Sequence, residues 1–225
     1  MLGPVRPIDF VGVIKGYMLE VQAYCEAKLH FMVTSRATRS VSEGEARRLV
    51  EETLRLLRRP RGSGVEFARF PIYASYRGVY IGVSPDAIIY VEGAPSGLLE
   101  ARIRSSLKHY DSDFLTLEVA GLLLEEALGR ELSGMKLVLL VASDKSSLEE
   151  ALQNTKVEPF KPQRGSAWVR IVRVYDRGAV EEKLSRMLEY WLGLRDYRPS
   201  PTPAKCGVCE YRDSCPHRIL STAGI

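Results

Sequence analysis

The stretch GVSPDAIIYVEGAPSGLLEARIRSS, residues 82–106, carries the fold and its chemistry together. Short runs rich in Val, Ile and Tyr, bounded by Gly, Pro and Ser, read as strands joined by turns. Residues 87–91 and 98–103 are then neighbouring strands, with EGAPSG as the turn between them. Asp86 opens the first strand, Glu100 lies in the second, and Arg102 follows two residues on, so period-two alternation puts Glu100 and Arg102 on one face. Two carboxylates delivered from adjacent strands make part of the oxygen shell of Mg²⁺ or Mn²⁺, which takes its remaining ligands from water and phosphate. A cation beside the second carboxylate orients an attacking water or stabilises charge developing on phosphorus. Pairing sets a condition. If Val91 faced Leu98, Asp86 would fall on the opposite face from Glu100, so a register changed by one residue, or a bulge, is required. The same residues also read without chemistry, as a turn-forming Asp after Pro and a solvated strand face.

Working outward, residues 67–76 and 79–83 read as earlier strands, and 113–127 (DFLTLEVAGLLLEEA) as an apolar helix ending before Gly129. KLVLLVA at 136–142 is a continuous apolar run, as in a strand buried on both faces. Residues 169–174 (VRIVRV) read as a half-exposed strand with one apolar and one arginine face, and 179–194 as an amphipathic helix with Leu184, Met187, Leu188, Trp191 and Leu192 inward. Upstream, 14–33 suits one helix containing Cys25. A second helix starts at Ser42 with Glu45 three residues later as a capping box, and stops at RRPRGSG. This order predicts an α/β (α+β) fold, a mixed sheet with helices packed on it.

At 225 residues, with 45% hydrophobic and 27% charged, the chain has material for a sizeable core, which excludes disorder and fibrous repeats. No run approaches a membrane span, and MLGPVRPIDF lacks the features of a secretory leader, so a soluble, cytoplasmic protein without a membrane partner is expected. Net charge is only +4, yet 23 of the 32 basic residues are Arg, the side chain that grips phosphate bidentately. Arg47, Arg48, Arg55, Arg58, Arg59 and Arg61 cluster on or after the second helix, and Arg170 and Arg173 flank a later strand. Of these, Arg48, Arg170 and Arg173 are candidate DNA contacts, against a reading in which the charges pair with Glu43, Glu45, Glu51 and Glu52 at helical spacing. Asn and Gln together number four, a depletion seen in heat-adapted, thermophile proteins.

Three of the four cysteines, Cys206, Cys209 and Cys215, form C-x2-C-x5-C in KCGVCEYRDSCPHR, after the linker RPSPTPA. That stretch has almost no apolar side chains, so something else must staple it, and thiolates converging on a metal would do so, with Cys25 as the available fourth. An iron–sulfur cluster, a four-cysteine zinc site, and a disulfide with a lone buried Cys25 all satisfy this pattern. The division expected is a body over 1–198 and a cysteine segment over 199–225 packing back on the N-terminal helix.

Taken together, the P-D pair, the E-x-basic motif after about a dozen residues and the apolar helix resemble the RecB-like PD-(D/E)xK nucleases. With one upstream Cys, the C-terminal triplet, YCEAKLHF and the Cys215–Pro216 ending, the chain is similar to the CRISPR-associated RecB-like exonucleases of spacer acquisition, the Cas-four family. The resemblance covers roughly residues 10–220. It implies a restriction-endonuclease-type central sheet with an iron–sulfur tail, 4Fe–4S ahead of 2Fe–2S, held by Cys25, Cys206, Cys209 and Cys215. It implies Asp86, Glu100 and the carbonyl of Ala101 as ligands of Mg²⁺ or Mn²⁺, with Arg102 as the catalytic basic residue. The implied activity is hydrolysis of DNA at single-stranded or overhang ends of prespacers, with CRISPR integrase proteins as partners in antiviral defence. Three positions depart from the family. Arg102 replaces its Lys, Arg48 stands where its metal-binding His is expected, and its Q-x-x-x-Y motif is missing, the corresponding helix offering only Glu118. His30 and His109 are the histidines that could substitute in space, against a reading of each as a surface or capping residue. These departures leave a second expectation, a weakened or inactive iron–sulfur DNA-binding subunit, and a third, a zinc-stabilised interaction module.

Overall fold

A computed structural model describes residues 12–35 and 41–219. The outer limits of the expected division, at 1 and 225, and the segment MLGPVRPIDF up to Val11 lie outside the described residues. In chain order the elements are β1 (Val13–Lys15), α1 (Gly16–Tyr24), α2 (Glu26–Ser35), α3 (Glu43–Leu57), β2 (Val65–Ala68), β3 (Ile72–Tyr76), β4 (Val79–Val83), β5 (Ala87–Val91), β6 (Ala94–Ile103), α4 (Leu115–Leu128), β7 (Lys136–Ala142), α5 (Lys145–Val157), β8 (Gln163–Arg164), β9 (Trp168–Val174), α6 (Arg177–Trp191) and the short α7 (Pro203–Gly207). A mixed α+β architecture results. The larger sheet has the order β2-β5-β6-β7-β9-β8 and the smaller β1-β4-β3. Parallel pairing occurs at β6–β7 and β1–β4, and the other pairs are antiparallel. No described helix is long and apolar enough to cross a membrane.

The apolar helix dictates the layering. α4 is apolar on nearly every side, and such a helix has to be enclosed. It packs against β3 and β4 of the smaller sheet, β6 of the larger, and α1, α3 and α6. Leu117, Ala120 and Leu124 are fully buried there. α5 covers the other face of the larger sheet, over Ala87, Ile89, Leu99 and Trp168. β7 lies between the two layers as its unbroken apolar sequence predicts, with Leu137, Leu139 and Val141 in one cluster and Val138, Leu140 and Ala142 in the other. The capping box also forms, with Ser42 Oγ accepting from the Glu45 amide and Glu45 Oε2 accepting from the Ser42 amide at 2.9 Å.

Four local expectations are corrected. The helix expected over 14–33 is a strand followed by two helices, because the backbone at Cys25 is extended (φ −165°, ψ 114°). The Tyr24 carbonyl next to this break accepts from Ser200 Oγ at 3.0 Å and Lys205 Nζ at 2.6 Å. The strand expected over 67–76 is two strands in different sheets, separated at Pro71, which has no amide to give to a ladder. The turn between β5 and β6 is not EGAPSG but Glu92–Gly93 alone, both at positive φ (50° and 77°), the requirement of a tight type I′ hairpin. β9 does not have an arginine face: Trp168 and Val172 belong to the α5-side cluster, Val169 and Ile171 to the α4-side one, so Arg170 and Arg173 point to opposite sides.

Residues 195–219 run back along α2. The carboxylate of Glu26 receives both terminal nitrogens of Arg195 at 2.7 Å, together with the Arg198 amide and Gln22 Nε2. Burial alone would raise its pKa, but these donors outweigh burial and hold it below the usual range. Further along, Lys28 pairs with Glu210 at 3.0 Å, Phe31 stacks on Tyr211, and His30 stacks on Tyr197, whose hydroxyl meets His217 Nε2 at 3.2 Å. Deleting one member of a buried ion pair strands the other. Glu26→Ala is therefore expected to lower unfolding free energy by about 3 kcal/mol in urea titrations, and an unchanged midpoint would show that the aromatic contacts alone dock the segment.

Candidate active site and cysteine centre

Strand register brings the two carboxylates together. Ala87 pairs with Leu99, so the ladder continued by one step sets Asp86 level with Glu100. The shift comes from a bulge: Ile89 pairs with Gly97 but Tyr90 with Pro95, leaving Ser96 as the extra residue in β6. Asp86 Oδ2 accepts from the Ala101 amide at 2.9 Å, which fixes its side chain beside β6. Arg69, in the loop after β2, reaches within 3.7 Å of the other Asp86 oxygen.

A third carboxylate joins them. Glu20 Oε1 on α1 accepts from Arg102 Nη2 at 2.7 Å and from Thr116 Oγ1 of α4 at 2.6 Å. The same Arg102 nitrogen lies 3.2 Å from Glu100 Oε1, consistent with the shared face expected for the pair. Neither Glu20 nor Thr116 carries a local sequence signal, since only the packing of α1 on α4 delivers them. Glu100 is 7% exposed, and its second oxygen, Oε2, is buried with no hydrogen-bond partner among the described residues. Burial, with the charges of Asp86 and Glu20 adding to it against Arg102 and Arg69, pushes its pKa up to about 7. A buried carboxylate oxygen lacking a donor, next to two more carboxylates, fits a divalent cation, which would relieve both the missing ligand and the crowded charge.

Other expected residues lie elsewhere. Arg170 is corrected from a DNA contact to a buried anchor: it is 1% exposed and donates to the Lys161 carbonyl (2.6 Å), Thr155 Oγ1 (3.0 Å) and Gln163 Oε1 (2.9 Å). Arg173 pairs with Asp111 at 2.8 Å and covers the Phe114 ring, while Arg48 stays exposed on α3. None of these three lines the cleft of about 730 Å³ that opens beside Asp86 and Arg102. Of the helix arginines, Arg47 is paired with Glu43, Arg55 with Glu52 and Arg61 with Glu66. Glu118 is bound by Lys183 at 2.8 Å, and His30 sits in the aromatic contacts of the C-terminal segment. His109 is exposed in the segment before α4 and does not line the cleft.

The four cysteines, none in a disulfide, line one small cavity with Tyr24, Phe31 and Tyr211. Burial would raise the Cys25 thiol, but N–H groups of Ser200, Lys28 and Ala27 and the Ser200 hydroxyl outweigh it and draw the thiol below its ordinary value. The Ile219 amide donates to Cys206 Sγ at 3.5 Å. Among the described residues no three His, Cys, Asp or Glu side chains enclose an ion-sized site as they stand. An all-thiol donor set with backbone N–H groups aimed at sulfur fits an iron–sulfur cluster or a four-cysteine zinc ion.

No family model matches this chain, and no curated protein does. Among solved structures the chain is similar to the crystal structure of SSO0001, at 14% sequence identity and a TM-score of 0.44, over 93% of this chain and 88% of that one.

The raised Glu100 pKa has a pH signature in metal-free protein. Because the folded value lies above the unfolded one, its contribution to stability is full below about pH 4.5 and is lost as pH rises to about 7. Relative to Glu100→Gln, the wild-type protein should lose on the order of 3 kcal/mol across that window in urea unfolding. Parallel curves for the two proteins would refute the burial of an ionising carboxylate at this position.

Proposed function

We propose that this chain is a metal-dependent DNA nuclease of the RecB-like, Cas-four type, carrying an iron–sulfur cluster on its four cysteines. In this reading it trims single-stranded or overhang ends of prespacers alongside CRISPR integrase proteins. The observation that carries it is Glu100 Oε2, buried without a hydrogen-bond partner beside Asp86 and Glu20. Asp86, Glu100 and the Ala101 carbonyl are the groups to hold Mg²⁺ or Mn²⁺, which when bound supplies a Lewis acid and a water of lowered pKa. Arg102 provides a fixed positive charge for the phosphate, but a guanidinium has donors and no acceptor, so it is no general base. Glu20 is the carboxylate left to accept a proton from the attacking water, with Thr116 and Arg102 holding its position.

One observation favours a second reading, a non-catalytic iron–sulfur DNA-binding subunit. Arg102 already bridges Glu20 and Glu100, so an internal cation occupies part of the charge that a metal would neutralise. Cleavage of single-stranded DNA with Mn²⁺ separates the two. Under the nuclease reading it is present in the wild type, lost in Asp86→Ala and Glu100→Ala, and faster in Arg102→Lys. Absence from the wild type together with gain in Arg102→Lys would establish the second reading.

The cysteine centre is tested separately. Protein purified without oxygen is expected to be brown and to contain iron and acid-labile sulfide, with Cys209→Ser both bleached and lower in Tm, since metal binding contributes folding energy. Colourless protein holding one zinc per chain would replace the cluster with a zinc site.

A further inference from the structure

The cleft beside Asp86 lies largely on the opposite face of the sheet from Glu100, and of its lining the chemistry described so far uses only Asp86, Ala101 and Arg102. Ala87, Leu99 and Ala101 form its floor, the Phe67 ring of edge strand β2 stands on one side, and Leu148 and Leu152 of α5 on the other. Leu148 and Leu152, one turn apart, share the inward stripe of α5. The small side chains of Ala87 and Ala101 leave the space open near the carboxylates. Phe160 packs over Gly97 further along the same face, where an added Cβ would stand 2.5 Å from its ring. The cleft is therefore apolar at its floor and walls and polar at its margins, with Asp86, Arg69 and Arg102 at one and Glu149, Gln153 and Lys156 contributed by α5. Its volume of about 730 Å³ falls in the range of small-ligand sites, on the order of 300–1,000 Å³.

We propose that this cleft is a nucleobase pocket that receives an unpaired base of a DNA strand whose phosphate lies at Asp86 and Glu100. The inference rests on the nuclease reading and deepens it. An aromatic ring and aliphatic walls give a base a stacking surface in place of its neighbours, and every base has such a face, so the pocket selects unpaired over paired DNA rather than one sequence. The cations at the rim suit the backbone on either side of the base. A base held in a duplex cannot enter without being unpaired and unstacked, at a cost of a few kcal/mol.

The test crosses the protein with the strand. Wild type, Phe67→Ala and Phe67→Trp are titrated, with Ca²⁺ present, against a short single strand, the same strand with one abasic residue at the end position, and a hairpin duplex. The intact strand should bind wild type roughly tenfold or more tightly than Phe67→Ala, and Phe67→Trp should restore most of that. Wild type should lose a comparable factor on the abasic strand, and Phe67→Ala should not distinguish the two strands. The abasic comparison uses wild-type protein alone, so it stands even if Phe67→Ala folds poorly. Equal binding of intact and abasic strands by wild type overturns the pocket while leaving the nuclease reading. Failure of wild type to bind any of the three DNAs overturns the reading, and the pocket with it.

Discussion

Everything at the candidate active site follows from the pairing of β5 with β6. β5, and β6 at Leu98 and Leu99, are apolar on both faces, so the hydrophobic pattern that normally fixes register is nearly indifferent to a slip of one residue there. What fixes it is backbone geometry: a two-residue turn with both residues at positive φ, then one bulge. The left-handed Glu92 is held there by its own contacts, its amide donating to the Gly64 carbonyl and its carboxylate accepting the Gly64 amide. With the register so set, Ile88, Leu98 and Tyr90 turn toward α4 while Ala87, Ile89 and Leu99 turn toward α5. Asp86, Glu100 and Arg102 continue the first of these sets past the edge of the core, where the apolar cover ends.

Placing Glu100 there has an electrostatic consequence. A carboxylate at the margin of a packed core loses most of its water, and a single guanidinium shared with Glu20 replaces only part of it. The site is thus under tension in the absence of a counter-ion. Such residual cost at one carboxylate, in a fold whose other buried carboxylates, Glu26, Asp113 and Glu125, each meet an arginine, is what a binding site looks like when its ligand supplies the missing interaction. Glu26 shows the contrast, since its buried carboxylate is met by Arg195, Arg198 and Gln22 and its charge is favoured rather than opposed.

The N-terminal segment joins the two centres mechanically. α1 presents Glu20 to Arg102 and Thr116, and the break at its end turns Cys25 toward the C-terminal cysteines. Loss of the contacts that dock residues 195–219 would remove the partners of the Tyr24 carbonyl and of Glu26.

Patterns of local origin were legible in the sequence. The 3.6-residue and two-residue periodicities, the Ser42 capping box, the unbroken apolar run of β7 and the cysteine spacing each depend on neighbours a few residues apart, and so do the α+β class and the shared face of Glu100 and Arg102. The helix break at Cys25 and the true turn at Glu92–Gly93 were decided by tertiary partners or by backbone angles that composition does not encode uniquely, whereas the division at Pro71 has a local cause, the missing amide. The same holds for Arg170, which as VRIVRV reads like a phosphate ligand but is buried because α5 and the β8 segment fold over it with three oxygen acceptors. Glu20 and Thr116 reach the site only because α1 packs on α4. The sequence by itself determined which groups had the chemistry; the tertiary structure decided which of them meet, because contact between distant residues is settled by how helices and strands fill one core and by no signal local to either residue.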